Sequence, residues 1–294
     1  MSKKNLIQET VEILEDSPFN YSYPYTSSFD LFASKECNSL VLKVLDNIDG
    51  ITKGVSQEIK QLSKFLGASP LLIGDHASTG SLEEMIVYKR HDLPAISPST
   101  FEKVVRRKEV FLMQGRGGYY VKLDPKKLKK RRKEENLSIN RLSKKTGISS
   151  RSLMNYEKDG IASLEKAKEL ERILGDILGD LKPLRKKVEV KIHRKARSGL
   201  AEKFLELGFE SLETKKAPFD VCLKDRKETF IVSKKDNKPR ERFLKLLRSL
   251  EEVIPTNPFF ISDKRSYFGD LPAISEKELK KFKDKDDLKE NVCA

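Results

Sequence analysis

An internal duplication constrains what this chain can fold into more than any other feature of its sequence. Residues 29–47 read FDLFASKECNSLVLKVLDN and residues 219–237 read FDVCLKDRKETFIVSKKDN, so both begin with Phe-Asp and end with Asp-Asn at the same spacing. The hexapeptide DLPAIS then occurs at 92–97 and again at 270–275. Repeated segments in the same order predict one structural unit that is present twice.

The segment between the two copies is strongly basic. The 294 residues of the chain carry a formal net charge of +14. Residues 124–175 contain 15 Lys and Arg against 8 Asp and Glu, and residues 182–197 contain 8 basic residues and one acidic residue. Concentrated positive charge is typical of proteins that bind a polyanion, because each neutralised phosphate releases counterions. A solvated basic surface has the same composition, so the charge alone does not decide the function.

The composition also excludes several classes of protein. No apolar run is long enough for a membrane span, and the N-terminal residues MSKKNLIQETVEILEDS predict an amphipathic helix rather than a signal peptide. Cys37, Cys222 and Cys293 have neither metal-type nor redox spacing, which predicts reduced thiols in a cytoplasmic protein. The three histidines also lack a common spacing, so the sequence predicts no metal site and no cofactor.

Residues 124–175 carry the start and stop signals of four short helices. The residues predicted to begin them are Asp124 with Pro125, Ser138, Ser149 or Ser150, and Ser163. The last three helices are predicted to end at Gly147, Gly160 and Gly175. The apolar side chains that could close one small core are Leu128, Leu137, Ile139, Leu142, Ile148, Leu153, Tyr156, Ala167, Leu170 and Leu174. Two short helices around a turn that contains glycine predict a helix-turn-helix.

Residues 137–160, LSINRLSKKTGISSRSLMNYEKDG, closely resemble the Cro/cI-type helix-turn-helix of phage repressors. The matching positions are Leu142 before the turn, Gly147 and Ile148 in the turn, Leu153 in the recognition helix, and the Tyr156, Glu157 and Gly160 of its ending. Ser143 departs from the alanine that this family usually has, but serine is small enough for the same close helix crossing. The resemblance implies binding to double-stranded DNA, with the third helix in the major groove.

The resemblance also marks out a set of DNA contacts. The candidate DNA-binding residues are Ser138, Arg141, Lys144, Ser149, Ser150, Arg151 and Asn155. Arg151 can chelate O6 and N7 of guanine, and Asn155 can bind adenine in the same bidentate way. The serines at predicted helix N-termini suit phosphate oxygens, and the other basic residues are expected to hold the DNA backbone or to remain in water. For Arg151, a phosphate contact or a solvated position is the alternative.

Each flanking copy is predicted to fold as a small α/β sandwich. The first reads as helix 5–16, strands near 21–25 and at 29–34 and 39–45, helix 53–66, strand 70–74 and helix 98–106, and the second repeats this order from residue 199. Between the first copy and the basic segment, two apolar stretches around Gly-Arg-Gly-Gly predict a β-hairpin. The order of elements resembles the restriction-endonuclease-like fold of archaeal Holliday junction resolvases.

In active nucleases of that fold, an aspartate and a following Glu-x-Lys hold magnesium and activate water. Asp30 and Lys43 match this pattern in the first copy, but Val41 replaces the acid. In the second copy Asp220 matches, while Ile231 and Ser233 replace the acid and the lysine. A single carboxylate makes a poor magnesium site, so both copies are predicted to be scaffolds for pairing or ligand sensing, without catalytic residues.

Two other functions remain open on the sequence. Glu9 or Glu12 of the first helix could supply another metal-binding oxygen, so the alternative is a structure-specific nuclease or DNA-repair factor that uses the first copy. A third reading is an RNA-associated or chromatin-associated protein that uses only the basic stretch. The copies could pair inside one chain or across two chains. The favoured assembly is a homodimer on an inverted repeat, with residues 182–197 along the phosphates.

Over nearly its full length, the chain resembles a family of archaeal transcriptional regulators with a Cro/cI-type helix-turn-helix between two resolvase-like regions. The stretches that carry this wider resemblance are FDLFA and LVLKVLDNID, LGASPLLIGD, DLPAIS and QGRGGYYVKLD. The resemblance implies two degenerate restriction-endonuclease-like α/β modules around an all-α DNA-binding domain, acting in transcription regulation with no known effector. The predicted domains are the first module 1–108, a hairpin connector 109–123, the helix-turn-helix domain 124–180, a basic linker 181–198 and the second module 199–294.

Overall fold

The computed structural model describes most of the chain. The described residues are 2–36, 38–106, 112–115, 118–179, 199–226, 228–235, 239–263 and 266–292. The predicted basic linker 181–198, with its phosphate-binding residues 182–197, lies outside them, as do Cys37 and Cys293. Cys222 is buried and forms no disulfide, and burial raises the pKa of its thiol. Across these ranges, no helix has an apolar stretch of the length that a lipid bilayer requires.

The first copy is a mixed sheet between helices. Its helices are α1 (Lys3–Glu15), α2 (Lys53–Leu66) and α3 (Pro98–Val105). Its strands are β1 (Asn20–Tyr21), β2 (Leu31–Lys35), β3 (Asn38–Asn47), β4 (Ser69–Ala77), β5 (Gly80–Ser81), β6 (Ile86–Arg90) and β7 (Leu93–Ile96). The order across the sheet is β1-β2-β3-β4-β7-β6, in which β3, β4 and β7 are parallel. The predicted helices agree closely with these bounds, while β6 and β7 were not predicted.

The central region extends this sheet and then becomes helical. The predicted hairpin forms from β8 (Leu112–Gly115) and β9 (Gly118–Lys122). It is followed by α4 (Pro125–Glu134), α5 (Ile139–Thr146), α6 (Ser150–Asp159), β10 (Ile161–Ser163) and α7 (Leu164–Leu174). Strand β8 pairs with β6 of the first copy, and β10 pairs with β9. The helical domain is therefore joined to the first copy through one continuous sheet.

The second copy repeats the strand order of the first. Its helices are α8 (Gly199–Glu206), α9 (Glu241–Val253), α10 (Glu276–Lys281) and α11 (Lys285–Val292). Its strands are β11 (Glu210–Glu213), β12 (Val221–Asp225), β13 (Glu228–Lys234), β14 (Thr256–Ser262), β15 (Ser266–Phe268) and β16 (Leu271–Ser275). Their order, β11-β12-β13-β14-β16-β15, is the order of the first copy with every strand replaced by its equivalent. The predicted duplication is confirmed.

The repeated hexapeptide DLPAIS has the same structural role in both copies. It forms a strand, β7 or β16, that passes directly into the N-cap of the next helix. The hydroxyl of Ser97 accepts the Thr100 backbone N–H at the start of α3. At the start of α10, Ser275 and Glu278 form a full capping box. A strand joined to a helix without a loop leaves little freedom in sequence, which explains why these six residues are identical.

The two copies pack against each other inside one chain and share an apolar core. This core contains residues of both sheets, and the rings of Phe29 and Phe219 lie 6.0 Å apart within it. At its edge, the carboxylate of Glu58 on α2 is buried and accepts the backbone N–H groups of Lys215 (3.1 Å) and Lys216 (3.0 Å) of the second copy. Of the two pairings that the sequence allowed, the structure contains the intramolecular one.

Candidate nucleic-acid interface

The helix-turn-helix is built by local caps that the sequence encodes. The hydroxyl of Ser138 accepts the Arg141 backbone N–H at the start of α5, and Gly147 ends that helix with a φ of +69°. Ser149 caps α6 by accepting the Ser152 backbone N–H at 3.1 Å. A left-handed φ favours glycine, because glycine has no Cβ to clash with the backbone. The predicted helix starts and stops of this motif are confirmed.

A single small core holds the helices at their crossing angle. All ten predicted core residues belong to it, with Ile139 and Tyr156 only partly buried. The core also includes four residues that were not predicted: Val121, Leu123, Ala162 and Ile177. They come from β9, β10 and the segment after α7, and therefore anchor the helices to the extended sheet. The alternation of apolar and polar residues in Val-Lys-Leu (121–123) is the sequence signal that could have revealed Val121 and Leu123.

A buried ion pair fixes the recognition helix to the first helix of the domain. The guanidinium of Arg132 on α4 meets the carboxylate of Glu157 on α6 through two nitrogens, at 2.5 and 3.1 Å. Its third nitrogen donates to the Leu137 carbonyl oxygen at 2.8 Å, and the two charged side chains are only 11% and 13% exposed. The hydrogen bonds to this carboxylate raise the pKa of Arg132, so its guanidinium stays charged. A bidentate geometry of this kind sets orientation as well as distance.

The exposed face of α6 carries the side chains that can reach a base. Arg151 and Asn155 lie four residues apart and are both exposed, while Leu153 between them is buried in the core. Met154, which the sequence reading did not include, lies on the same face and is 55% exposed. This face therefore offers two groups capable of bidentate hydrogen bonding and one apolar group, and base edges in the major groove can accept both kinds of contact.

The predicted phosphate-binding residues differ in their exposure and in their hydrogen bonds. Arg141 and Lys144 are exposed on α5, as is Ser149 at the N-terminus of α6. Ser150 is half-buried, and its hydroxyl donates to the side-chain oxygen of Asn140 at 3.0 Å, which ties α6 to α5. The hydroxyls of the two N-cap serines are likewise engaged in their own helices. The structure thus brings all seven candidates to one region, with Ser150 in a structural contact.

Helix α4 adds positive charge next to this face. Six of its basic residues are exposed: Lys126, Lys127, Lys129, Lys130, Arg131 and Lys133. Acidic partners lie close to some of them, such as Asp176 at 3.2 Å from Lys127 and Glu134 at 3.4 Å from Arg131. Exposed ion pairs are weak and are easily exchanged for a phosphate partner. The helix is therefore suited to contact the DNA backbone.

The resolvase-like site of the first copy contains a carboxylate enclosed by cations. Asp30 is fully buried, with the ammonium of Lys3 at 2.9 Å and that of Lys43 at 3.2 Å. Burial lowers the pKa of Lys43, and its ammonium also donates to the Ser27 carbonyl oxygen at 2.6 Å. The side chain of α1 that contacts Asp30 is Lys3, so a second positive charge lies beside this carboxylate.

The aspartate of each copy also accepts a hydrogen bond from the backbone of a neighbouring strand. Oδ2 of Asp30 accepts the backbone N–H of Val44 at 2.9 Å, and Oδ2 of Asp220 accepts that of Lys234 at 2.7 Å. Both contacts tie the start of one strand to its neighbour in the sheet. In the described part of the chain, no group of three or more His, Cys, Asp or Glu side chains is arranged to hold a metal ion.

The positions that would carry the nuclease acid face the contact between the copies. Val41 and Ile231 are both buried members of the core that the two copies share. A carboxylate there would be removed from water without a partner, which costs several kcal/mol or shifts the group to its neutral form. Val41 and Ile231 thus contribute to the packing between the two copies.

Comparisons with known proteins agree with both parts of this description. Residues 3–110 match the family described as PD-(D/E)XK superfamily domain, and residues 128–177 match the family described as Helix-turn-helix. Similar curated proteins bear the name "Putative HTH-type transcriptional regulatory protein". Those of Methanobrevibacter smithii and Methanocaldococcus jannaschii are each 32% identical, covering 98% of this chain and 96% and 95% of their own lengths. That of Methanothermobacter thermautotrophicus is 34% identical, covering 95% and 92%. No solved structure matches the chain.

Proposed function

Because the chain belongs to the family of archaeal HTH-type transcriptional regulatory proteins, we propose that it is a sequence-specific, non-catalytic DNA-binding regulator of transcription. The observation that carries this proposal is the exposed face of α6, where Arg151 and Asn155 project away from the domain core. In the proposed complex α6 lies in the major groove, Arg151 binds a guanine and Asn155 an adenine. These two contacts supply the sequence preference.

The remaining candidates hold the DNA backbone in this proposal. Arg141 and Lys144 bind phosphates, and the N-termini of α5 and α6, at Ser138 and Ser149, face phosphate oxygens. Ser150 contributes by holding α6 against α5. The positive charge of residues 182–197, which fall outside the described part of the chain, adds to the salt dependence of binding in this proposal. Phosphate contacts set the register, so their loss should weaken binding to all DNA sequences alike.

The flanking copies act as a scaffold in this account. The metal site of an active nuclease needs at least two acidic ligands, and Val41 and Ile231 instead complete the shared core. The ammonium groups of Lys3 and Lys43 already neutralise the buried carboxylate of Asp30. Adding a divalent cation next to two ammonium groups is opposed by charge repulsion. These contacts support a structural role for both copies.

A structure-specific nuclease that uses the first copy is the second candidate function. The match of residues 3–110 to the PD-(D/E)XK superfamily domain favours it, as does the ion pair of Asp30 with Lys43. Purified protein incubated with Mg²⁺ or Mn²⁺ and with duplex, branched and single-stranded DNA separates the two candidates. Cleavage that is lost in both Asp30→Ala and Lys43→Ala would establish the nuclease.

We also propose that two chains bind an inverted repeat. One helix-turn-helix contacts too few base pairs to select a site in a genome. Since the two copies pack against each other within one chain, the homodimer must form through a different surface. Analytical ultracentrifugation with and without DNA tests this, and a chain that is monomeric at micromolar concentration and protects a single half-site contradicts it.

The experiment that tests sequence-specific binding is selection from a random pool of duplex DNA. Repeated rounds with purified protein at about 150 mM salt should enrich one motif, and footprinting should show protection over it. A pool that stays random after selection, with binding that depends only on salt, would show that the protein binds DNA through charge alone.

A further inference from the structure

The packing of the two copies creates two clefts that are related by the duplication. One lies between α1 and β1 of the first copy and α9 of the second. The other lies between α8 and β11 of the second copy and α2 of the first. Residues 19–21 line the first cleft and residues 209–211 line the second, at the same separation in sequence as Asp30 and Asp220. The two clefts are thus equivalent places in the duplicated fold.

The two clefts differ in size and in the number of charged side chains that line them. The α9 cleft has a volume of about 920 Å³, and the α2 cleft of about 560 Å³. Along α9 three basic residues line the larger cleft at intervals of three: Arg242, Lys245 and Arg248. The smaller cleft is lined by Lys64 and Lys224, and Lys224 already donates to the Phe65 carbonyl oxygen. Counting the carboxylates Glu15 and Glu252 of the larger cleft and Glu210 of the smaller one, both linings carry the same net charge, but the larger cleft has a third cation. A scaffold alone does not require one cleft to be larger than its equivalent and to present an additional cation.

From this asymmetry we propose that the α9 cleft is a binding site for a nucleotide, a small molecule with an aromatic base and a phosphate. Its volume lies within the range of about 300–1,000 Å³ that is typical of small-molecule sites. It is formed jointly by both copies, and clefts between domains are common places for such sites. The site goes beyond the proposed DNA-binding function, because it uses none of the residues of the helix-turn-helix.

The three basic residues differ in how their charged groups are held. The guanidinium of Arg242 donates to the Pro24 carbonyl oxygen and lies over the ring of Tyr25. That of Arg248 is held by Asp270 at 2.8 Å and also lies 3.7 Å from the carboxylate of Glu241. Lys245 lies between them, is exposed, and has no ion pair or hydrogen bond within the described ranges. An ammonium on a flexible chain, between two positioned guanidinium groups, is suited to bind a phosphate.

An aromatic ring is available next to these cations. Tyr23 lines the cleft and is 37% exposed, which is unusual for a large side chain in this protein. Its backbone N–H donates to the hydroxyl of Ser249 at 2.7 Å, and that hydroxyl donates to the Leu246 carbonyl oxygen. This contact fixes the backbone of Tyr23 on α9, and its ring stays partly exposed. A partly exposed ring of this kind can stack on a base.

The carboxylates of the cleft complete the recognition chemistry. Glu15 accepts the hydroxyl of Tyr21 at 2.7 Å, and Glu252 lies one turn of α9 after Arg248. Carboxylates beside cations disfavour a ligand that is only an anion, whereas they accept hydrogen bonds from ribose hydroxyls and base amino groups. The mixture of charges therefore favours a nucleotide over inorganic phosphate.

The chain contains no tryptophan, so a single substitution places a unique fluorophore in the cleft. Full-length Tyr23→Trp protein is titrated with adenosine monophosphate, guanosine monophosphate, adenosine and inorganic phosphate at about 150 mM salt. A dissociation constant for a nucleoside monophosphate, measured from the quenching, that is at least tenfold lower than those for adenosine and for phosphate supports the site. No quenching at millimolar nucleotide, or equal binding of phosphate alone, overturns it.

Calorimetry measures the nucleotide affinity of proteins that keep Tyr23, and a pair of charge-reversal variants shows whether the nucleotide binds in the cleft or elsewhere on this basic chain. Lys245→Glu should weaken binding of the same nucleoside monophosphate by about tenfold or more, since it replaces an attraction by a repulsion. Lys277→Glu reverses an exposed lysine on α10 outside the cleft and should leave the affinity unchanged. Thermal unfolding confirms that both variants are folded. Equal affinity in Lys245→Glu and Lys277→Glu contradicts the proposal.

Discussion

Loss of the ion pair between Arg132 and Glu157 should loosen the recognition helix. Arg132→Met keeps most of the side-chain length but removes all three hydrogen bonds of the guanidinium, and it leaves the carboxylate of Glu157 buried without a partner. Removing one partner of a buried pair costs about 3–5 kcal/mol, and the slight exposure here places the expected value near 3 kcal/mol. That corresponds to an increase of about 150-fold in the equilibrium constant for opening of the domain.

Hydrogen exchange measured by mass spectrometry on peptides of α4, α5 and α6 reports this opening in the intact chain. The matched control is Arg131→Met, since Arg131 is the exposed neighbour and its ion pair with Glu134 should contribute less than about 1 kcal/mol. The double variant Arg132→Met with Glu157→Met should recover much of the loss, because no buried charge then remains unpaired. Equal exchange in the Arg132→Met and Arg131→Met proteins would refute the reasoning.

Three further outcomes are expected. Glu58→Ala removes the acceptor of two backbone N–H groups of the second copy, so the free energy of unfolding measured in urea should fall by about 3 kcal/mol. An unchanged midpoint would mean that the contact between the copies does not depend on Glu58. Lys144→Ala should weaken binding to specific and random duplexes alike, and the slope of log affinity against log salt concentration should fall in magnitude by about 1. A loss of affinity confined to one sequence would make Lys144 a base contact. No DNA substrate should be cut with Mg²⁺ or Mn²⁺, and cleavage that depends on Asp30 would reverse the order of the two candidate functions.

The sequence predicts the helices of this protein well and its sheets only in part. Caps such as Ser138 and Ser149, and glycines that accept a positive φ, act locally, so they can be read from a few neighbouring residues. Strand β10 is short and pairs with β9, which lies far back in the sequence, so local patterns do not encode it. Strands β6 and β7 pair with each other across His91 and Asp92, which have a positive φ without the glycine that usually marks such a turn. The predicted strands 29–34 and 39–45, and the predicted hairpin within the connector 109–123, agree with the described residues because their apolar runs are bounded by clear turns.

The candidate site was predictable where it depends on a motif and not where it depends on tertiary packing. The outward positions of Arg151 and Asn155 follow from helical periodicity alone. The contact of Ser150 with Asn140 depends on how α6 crosses α5, and the pair of Arg132 with Glu157 joins residues 25 positions apart. The replacement of acids by Val41 and Ile231 was visible in the sequence, but its cause, a core shared by two copies, appears only when both copies are folded together.

The central claim is that α6 reads bases, and the affinity of Arg151→Ala for selected and for random DNA tests it most directly. On the duplex enriched by selection, the substitution should cost about 1–3 kcal/mol and relax the preference at one base pair. On a random duplex of the same length and at the same salt, it should change the affinity little. Equal losses on both duplexes would make Arg151 a phosphate contact and contradict the account.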